Sequence, residues 1–173
     1  MRIAIIGYSG SGKSTLADKL GKAYGIPVQH LDGVFFEENW KPRDRQAALA
    51  DVQHMLDEPC WVIDGNYTGL LQPERLARAD QIVFLNFSRW ICLYRVTKRY
   101  RRYRGATRPD LAPGCNEKLD LEFVRWVLFD GRTRQKCAHY RSIVRQYADK
   151  TVILCNQRAL DAFCSTLLNA EKA

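Results

Sequence analysis

Nine consecutive residues near the start of the chain have the pattern of a phosphate-binding loop. Residues 7–15 read Gly-Tyr-Ser-Gly-Ser-Gly-Lys-Ser-Thr, which matches G-x-x-x-x-G-K-[ST] in full. Glycines let the backbone turn tightly, so that successive N–H groups point at phosphate oxygens. The lysine then reaches the β- and γ-phosphates, and the following serine is placed to ligate Mg²⁺. The pattern predicts that ATP and Mg²⁺ are bound by Gly7, Ser9, Gly10, Ser11, Gly12, Lys13, Ser14 and Thr15.

Two carboxylates follow later predicted strands. Asp32 closes a His-Leu-Asp triplet, and Asp64 opens an Asp-Gly-Asn-Tyr turn. Because the carboxyl ends of parallel strands meet at one edge of a sheet, both side chains would lie beside the phosphate loop. We expect Asp32 to orient or deprotonate an acceptor hydroxyl, and Asp64 to organise Mg²⁺ and its waters together with Ser14. The alternative for each carboxylate is a turn or a helix cap, which Asp32 fits more readily because Gly33 follows it.

Other classes of phosphate-loop protein fit the sequence less well. A GTPase would carry an Asn-Lys-x-Asp motif after a later strand, and the sequence has none. A large ATPase usually ends a strand with an acidic pair, whereas the predicted strand at 81–85 is followed by Asn86. The pattern therefore favours phosphoryl transfer from a nucleoside triphosphate to a small acceptor.

Much of the positive charge lies in one stretch, residues 95–108. Arg95, Arg99 and Arg102 are spaced four and three residues apart, which places them on one face of a helix. As a lid over about residues 98–115, the stretch would close over the triphosphate and stabilise the charge of the transferring group. The same role is expected of two later arginines, Arg132 and Arg134. Two alternatives stay open: a nucleic-acid patch whose tyrosines stack on bases, and a solvated basic face.

The segment at about residues 33–58 is the predicted acceptor site. It contains Phe-Phe-Glu-Glu-Asn-Trp at 35–40, whose rings could stack on a base or simply cover the core. His30, just before this segment, is predicted to be a packed or polar-edge residue rather than a general base. His54 and His139 have no partner at metal-ligand spacing, so we expect no histidine metal site.

Alternating apolar and amphipathic segments predict the elements that position these residues. Five apolar runs rich in β-branched residues read as buried strands, at 2–6, 28–31, 61–63, 81–85 and 151–154. Helices are predicted from Ser14 to Tyr24, from Pro42 onward, and after an Asn116 cap. Strands that alternate with helices predict a three-layer α/β fold around a parallel five-stranded sheet, in one domain over residues 1–173.

Composition narrows the class further. The net charge of +8 suits a protein that gathers phosphates, and it also suits nucleic-acid binding. The apolar runs are far too short to span a bilayer, and no signal peptide is recognised. The six cysteines are scattered without a Cys-x-x-Cys pair, which argues against zinc or a disulfide framework. We therefore expect a cytoplasmic protein that has no membrane partner.

The order of these motifs resembles the adenylate kinase and shikimate kinase class of small P-loop kinases. A closer resemblance, over nearly the whole chain, is to the bacterial "DNA topology modulation proteins". It rests on His30-Leu31-Asp32, Trp40, the turn at 64–67, Arg89-Trp90, Tyr94-Arg95, Tyr103-Arg104-Gly105, Thr107-Arg108-Pro109-Asp110 and Gly114-Cys115. The resemblance implies a kinase that acts on a nucleotide or nucleoside. The family name implies the alternative, a nucleic-acid-associated ATPase or DNA-binding regulator.

Overall fold

Five parallel strands form the sheet, and each lies where an apolar run predicts it. The computed structural model describes residues 1–105 and 114–170, with side chains described as far as residue 166. The strand order is β2-β3-β1-β4-β5, with every neighbouring pair parallel. The strands are β1 (Arg2–Gly7), β2 (Val28–His30), β3 (Trp61–Asp64), β4 (Gln81–Leu85) and β5 (Thr151–Leu154). The predicted α/β fold around a parallel five-stranded sheet is confirmed.

The central strands are apolar along their length because helices cover both faces of the sheet. Ile3, Ile5, Val62, Ile82 and Val83 have no exposed surface. Burying one such side chain contributes about 1.5–3 kcal/mol, so the middle of the sheet is the main source of cohesion. A central strand that is this well fixed gives a firm base to the loop that follows β1.

Eight α-helices connect and flank the strands in the described ranges. They are α1 (Lys13–Tyr24), α2 (Leu31–Phe35), α3 (Arg45–Asp57), α4 (Gln72–Arg78), α5 (Arg89–Arg102), α6 (Leu121–Leu128), α7 (Arg134–Gln146) and α8 (Gln157–Ala170). Helix α1 ends at Gly25, whose φ of 61° is the left-handed conformation that glycine adopts without a Cβ clash. Among these described residues, no helix has the combination of length and apolarity needed to cross a bilayer.

Two predicted helix starts were wrong, and side-chain caps explain both. The helix predicted to open at Pro42 begins at Arg45, because the carboxylate of Asp44 accepts a hydrogen bond from the Ala47 amide. Pro42 instead forms an isolated bridge with Phe36. The helix predicted after Asn116 begins five residues beyond it, at Leu121, where Asp120 accepts a hydrogen bond from the Phe123 amide.

The predicted lid at about residues 98–115 is described only at its two ends. Residues 98–102 complete α5, residues 103–105 follow it, and the next described residue is Gly114. Residues 106–113, which include Thr107 to Asp110 of the closer resemblance, lie outside the described residues.

Candidate functional site

One large cleft opens at the carboxyl edge of the sheet. Its volume is about 1810 Å³, well above the roughly 300–1,000 Å³ of a pocket for a single small ligand. The cleft therefore has room for two substrates side by side. The predicted site residues that line it are Ser9, Gly10, Gly12, Lys13, Ser14, Thr15, Asp32, Asp64, Arg95, Arg99, Arg102 and Arg132.

The phosphate loop is shaped by its glycines and packs on α5. Gly10 and Gly12 have φ of 77° and 97°, which strains any residue with a Cβ. A Cβ at Gly10 would also meet Val96 Cγ1 at 2.6 Å. Gly7 and Ser11 do not line the cleft; Ser11 is fully buried and its amide donates to the Tyr8 carbonyl over 3.1 Å. The loop is therefore preformed, and α5 supports it from behind.

Lys13 is held within the loop. Its Nζ donates to the carbonyl oxygens of Gly7 and Tyr8 at 3.1 and 3.4 Å. Burial lowers the pKa of the Lys13 ammonium, and the charges of Asp32 and Asp64 oppose that shift. Because a lysine nitrogen has three protons to donate and carbonyls are weaker acceptors than phosphate oxygens, these contacts are ones that an incoming phosphate can replace.

Ser14 and Asp64 offer oxygen atoms suited to Mg²⁺. Ser14 Oγ donates to Asp64 Oδ2 over 3.1 Å, and Asp64 is only 4% exposed. Mg²⁺ usually takes one or two protein oxygens and completes its shell with phosphates and waters. The donor set fits that ion. A group of three or more His, Cys, Asp or Glu side chains placed to hold a metal does not occur in the described residues.

A histidine outside the predicted site residues contacts this carboxylate. His30 Nδ1 lies 2.5 Å from Asp64 Oδ1, and its Nε2 lies 3.0 Å from Asp18 Oδ1. The prediction of a polar-edge residue agrees with this geometry but misses the contact with Asp64. The pairing register places His30 directly beside Asp64 on neighbouring strands, and a register cannot be read from one strand alone.

Asp32 lines the cleft beside a group of aromatic rings. The Tyr67 hydroxyl donates to Asp32 Oδ1 over 2.7 Å. Burial is the main cause that raises the pKa of Tyr67, so this residue stays a donor. The Tyr67 ring stacks on Phe35 at 4.8 Å, and Phe36 meets Trp40 edge-on at 5.2 Å. These four rings and Asp32 form one wall of the cleft, named the acceptor wall here after the acceptor segment predicted at about residues 33–58.

The acceptor wall includes a strained turn. Asn39 and Trp40 have φ of 60° and 62°, in the left-handed region that residues other than glycine rarely adopt. A distant segment holds the turn: Cys115 Sγ accepts from the Trp40 amide and donates to the Glu37 carbonyl, each over 3.2 Å. Trp40 Nε1 also donates to the carbonyl of Asn116 over 3.0 Å. Residues at the end of the predicted lid and just after it, Cys115 and Asn116, therefore shape the acceptor wall.

The turn after β3 is braced by an arginine with no exposed surface. Arg75 donates to the carbonyls of Leu70, Gly65 and Tyr67 at 2.8, 3.3 and 2.7 Å. Burial lowers its pKa to about 10, against the opposing charge of Asp64. Sequence reasoning missed Arg75, because an arginine that bonds to backbone carbonyls has no local signature in the sequence.

The same turn is tied to the phosphate loop by Asn66. Its Oδ1 accepts from the Gly7 amide over 3.0 Å, and its Nδ2 donates to the Gly7 carbonyl over 2.7 Å. Through these two bonds, the Asn66 side chain pairs with the backbone of Gly7 just beyond the last paired residues of β1 and β3. They fix the position of Asp64 relative to the phosphate loop.

The three arginines of α5 share the face that looks into the cleft, as their spacing predicts. Arg95 donates to the Ser11 carbonyl of the phosphate loop and stacks over Phe87 at 4.1 Å. Arg99 Nε pairs with Glu117 Oε1 at 3.0 Å, and Glu117 is a largely buried carboxylate. Arg102 lies near the end of the cleft, 5.5 Å from the Tyr103 ring. Because α5 carries all three, they are attached to an ordered helix.

The two later arginines differ in position. Arg132 lies over the Tyr8 ring at 3.6 Å and donates to the Phe87 carbonyl over 2.8 Å, so it touches the phosphate loop. Arg134 is exposed at the start of α7 and does not line the cleft; its predicted phosphate role stays a prediction. Lys136, which sequence reasoning did not select, lines the cleft and lies 3.7 Å over the Trp126 ring.

Comparison with known proteins identifies the fold. No protein-family model and no curated protein matches the chain. Among solved structures, shikimate kinase from Acinetobacter baumannii in complex with shikimate is 17% identical, with a TM-score of 0.58 over 98% of this chain and 91% of that one. Shikimate kinase from Bacteroides thetaiotaomicron is 16% identical, with a TM-score of 0.50 over 100% and 99%. An uncharacterized protein from Eubacterium ventriosum is 18% identical, with a TM-score of 0.55 over 100% and 99%.

The chain thus has the P-loop kinase fold of the shikimate kinases, as the broader resemblance in the sequence implies. At these identities the likeness concerns the fold alone. Nothing in the comparisons supports the narrower resemblance to DNA topology modulation proteins, which stays a prediction.

Proposed function

We propose that this protein transfers the γ-phosphoryl group of ATP to a hydroxyl of a small acceptor, a nucleoside or nucleotide. One observation carries the proposal: Lys13 and Asp32 line the same cleft, with the phosphate loop at one end and the acceptor wall at the other. Phosphoryl transfer needs positioning and charge stabilisation more than covalent chemistry from the protein. The cleft is arranged for both.

At the phosphate end, the start of α1 and its preceding loop hold the β- and γ-phosphates. Unpaired amides at a helix N-terminus and the positive end of its dipole favour such anions. Lys13 exchanges its carbonyl contacts for phosphate oxygens. Ser14 and Asp64 hold Mg²⁺, which neutralises charge on the phosphates when bound. Arg95, Arg99, Arg102 and Arg132 line the same region and supply further positive charge.

At the acceptor end, Asp32 orients the attacking hydroxyl and takes its proton. Tyr67 donates to Oδ1 of this carboxylate, and the proposal assigns Oδ2 to the acceptor. The stacked pair of Phe35 and Tyr67, together with Phe36 and Trp40, offers flat apolar surfaces to a ring. Such surfaces suit a nucleobase, since base–aromatic stacking contributes about 1–3 kcal/mol per base.

The likeness to shikimate kinase in complex with shikimate supports a small-molecule acceptor in general terms. The use of ATP and the presence of six free cysteines favour a cytoplasmic location. We also propose that residues 1–173 act as one kinase domain, in which the segments at about 33–58 and 98–115 serve the acceptor and the lid.

The test is acceptor-dependent ADP release by the purified protein with ATP and Mg²⁺. Nucleosides, nucleoside monophosphates and shikimate are offered in turn, and each product is identified by mass spectrometry. We expect at least one nucleoside or nucleotide to be phosphorylated and shikimate to be inert. A panel in which ADP release never exceeds the rate without acceptor would contradict the proposal.

A second candidate function is nucleic-acid binding coupled to ATP use. Trp90 and Tyr94, four residues apart on α5, are 66% and 67% exposed, and Arg101 is exposed on the same helix. An exposed aromatic pair beside basic residues suits single-stranded nucleic acid. ATP hydrolysis stimulated by DNA, together with a gel shift that weakens with salt, would favour this function over the kinase.

A further inference from the structure

His30 is the centre of a polar chain that links three elements of the fold. Its two ring nitrogens face one carboxylate each, Asp64 at the end of β3 and Asp18 on α1. The side chains of His30, Asp64 and Asp18 are 16%, 5% and 62% exposed, respectively. The chain thus runs from the buried edge of the sheet to the surface of the helix.

The polar chain of Asp64, His30 and Asp18 closes into a ring through α1. Ser14 and Asp18 are four residues apart on this helix and therefore lie on one face. Ser14 contacts Asp64 Oδ2, His30 contacts Asp64 Oδ1, and Asp18 contacts His30. Each oxygen of Asp64 is therefore engaged by a different residue. The orientation of this carboxylate is consequently fixed before any ligand binds.

We propose that His30 is a positioning residue, which with Asp18 holds Asp64 so that Oδ2 faces the metal of a bound Mg²⁺–nucleotide. The inference rests on the proposed function, which assigns Ser14 and Asp64 to that metal. A serine hydroxyl binds a metal through an oxygen lone pair and keeps its proton, so Ser14 can go on donating to Asp64 Oδ2. His30 is the described contact on Oδ1, and it keeps the carboxylate from rotating about its bond to Ser14.

A direct role of His30 in proton transfer from the acceptor fits the geometry less well. Both ring nitrogens already face carboxylate oxygens at hydrogen-bond distance. The carboxylate nearer the acceptor wall is Asp32, which Tyr67 orients. His30 therefore acts through Asp64. Groups that orient a metal ligand in this way typically change metal affinity or activity by about 10- to 100-fold when they are removed.

The experiment measures nucleotide binding without turnover. ADP is titrated into the protein by calorimetry, once with Mg²⁺ and once with a chelator, and the ratio of the two affinities is the Mg²⁺ enhancement. We expect His30→Gln to lower this enhancement about tenfold or more, with the affinity in chelator unchanged. His30→Asn, whose amide nitrogen can replace Nδ1 beside Asp64, should lower the Mg²⁺ enhancement less. His54→Asn, an exposed histidine on α3, is the matched control.

Asp18→Ala keeps the test decisive if His30 variants fold poorly, because Asp18 lies largely in solvent. We expect a smaller loss of Mg²⁺ enhancement and an unchanged midpoint of thermal unfolding. Wild-type enhancement in both His30→Gln and Asp18→Ala would overturn the inference, as would an equal loss of affinity in chelator. A wild-type protein without any Mg²⁺ enhancement would overturn it too.

The two proposals fail in distinguishable ways. If enhancement depends on His30 and yet no acceptor in the panel is phosphorylated, phosphoryl transfer is wrong and the positioning of Asp64 stands. If an acceptor is phosphorylated and His30→Gln leaves the enhancement intact, the positioning role is wrong and phosphoryl transfer stands.

Discussion

The two ends of the cleft are built by different means. At the phosphate end, contacts come largely from the backbone of one continuous segment, residues 7–15, set on the central strand β1. At the acceptor end, contacts join segments far apart in sequence, such as the turn at 37–40 and residues 115–116, and each uses a side chain. The phosphate loop itself is a local motif, to which distant side chains such as Asp64 and Arg95 are added, whereas the acceptor wall exists only after the chain has folded.

This difference predicts separable behaviour. A backbone cradle is insensitive to changes elsewhere, because its geometry follows from glycine conformations and helix dipoles. An assembly of distant side chains depends on every contact that holds them together. Substitutions at the acceptor end should therefore affect the acceptor more than ATP, and the following experiments test that separation.

The largest effect is expected for Lys13→Ala. Removing one preorganised donor to developing charge costs about 10²–10³ in rate, and the loss of a full positive charge should reach the upper end, about 10³. The lysine lines the cleft and packs outside the apolar core, so the fold should be retained. Steady-state rates at saturating ATP measure the effect, with the exposed Lys22→Ala of α1 as control. Wild-type turnover in Lys13→Ala would mean that this residue does not reach the γ-phosphate.

Sequence reasoning works well where structure is local. The apolar runs predict all five strands, and Gly25 is predicted as the end of α1. Both features can be read from a few neighbouring residues, because a buried strand needs consecutive apolar side chains and a left-handed cap favours glycine. It fails where a contact depends on register or on distant packing. The contacts of His30 with Asp64 and of Cys115 with Trp40 join residues 34 and 75 positions apart. Short caps, such as Asp44 and Asp120, were missed because several candidates precede each helix.

The next largest effect concerns the arginines of α5. Truncating Arg95, Arg99 or Arg102 to Ala should slow kcat by about 10²–10³, corresponding to the 2.7–4 kcal/mol of a donor that acts in the transition state. Arg101→Ala, which removes an exposed charge of the same helix outside the cleft, should change kcat little. The nucleic-acid alternative predicts the reverse: unchanged kinetics, weaker DNA binding and a smaller salt dependence. An unchanged kcat in all three variants would contradict the assignment of these arginines to the phosphate site.

We expect Asp64 and Asp32 to serve different ends of the cleft, so that substituting each one affects a different part of the reaction. Asp64→Asn should weaken the Mg²⁺ dependence of the reaction, because it alters the oxygen pair shared with Ser14. Asp32→Asn should reduce acceptor phosphorylation by at least about 10², the lower limit for general-base catalysis, and should affect slow background ATP hydrolysis less. A magnesium titration of both activities separates the variants, with the exposed Asp57→Asn as control. If the magnesium titrations of wild type and both variants were equal, the two carboxylates would have only a structural role in their turns.

The smallest effect, and the most specific test of the separation, is expected for Cys115→Ala. The Cys115 thiol is fully buried and bonds both to the Trp40 amide and to the Glu37 carbonyl, across a turn in which Asn39 and Trp40 are strained. Removing it leaves the half-buried Trp40 amide without this acceptor, which costs about 1 kcal/mol, the lower end of the range for an unsatisfied donor. That loss should lower the midpoint of thermal unfolding by about 2–4 °C for each kcal/mol in a chain of this size.

Because the strained turn carries Trp40 into the acceptor wall, Cys115→Ala should raise the KM for the acceptor severalfold and leave the KM for ATP unchanged. Cys115→Ser keeps a donor and an acceptor at the same place, so it should recover most of both losses. Cys155→Ala, at an exposed cysteine beyond β5, controls for thiol removal. If Cys115→Ala changed the KM for ATP as much as the KM for the acceptor, the two ends of the cleft would be one cooperative unit. Their separate construction would then have no functional consequence.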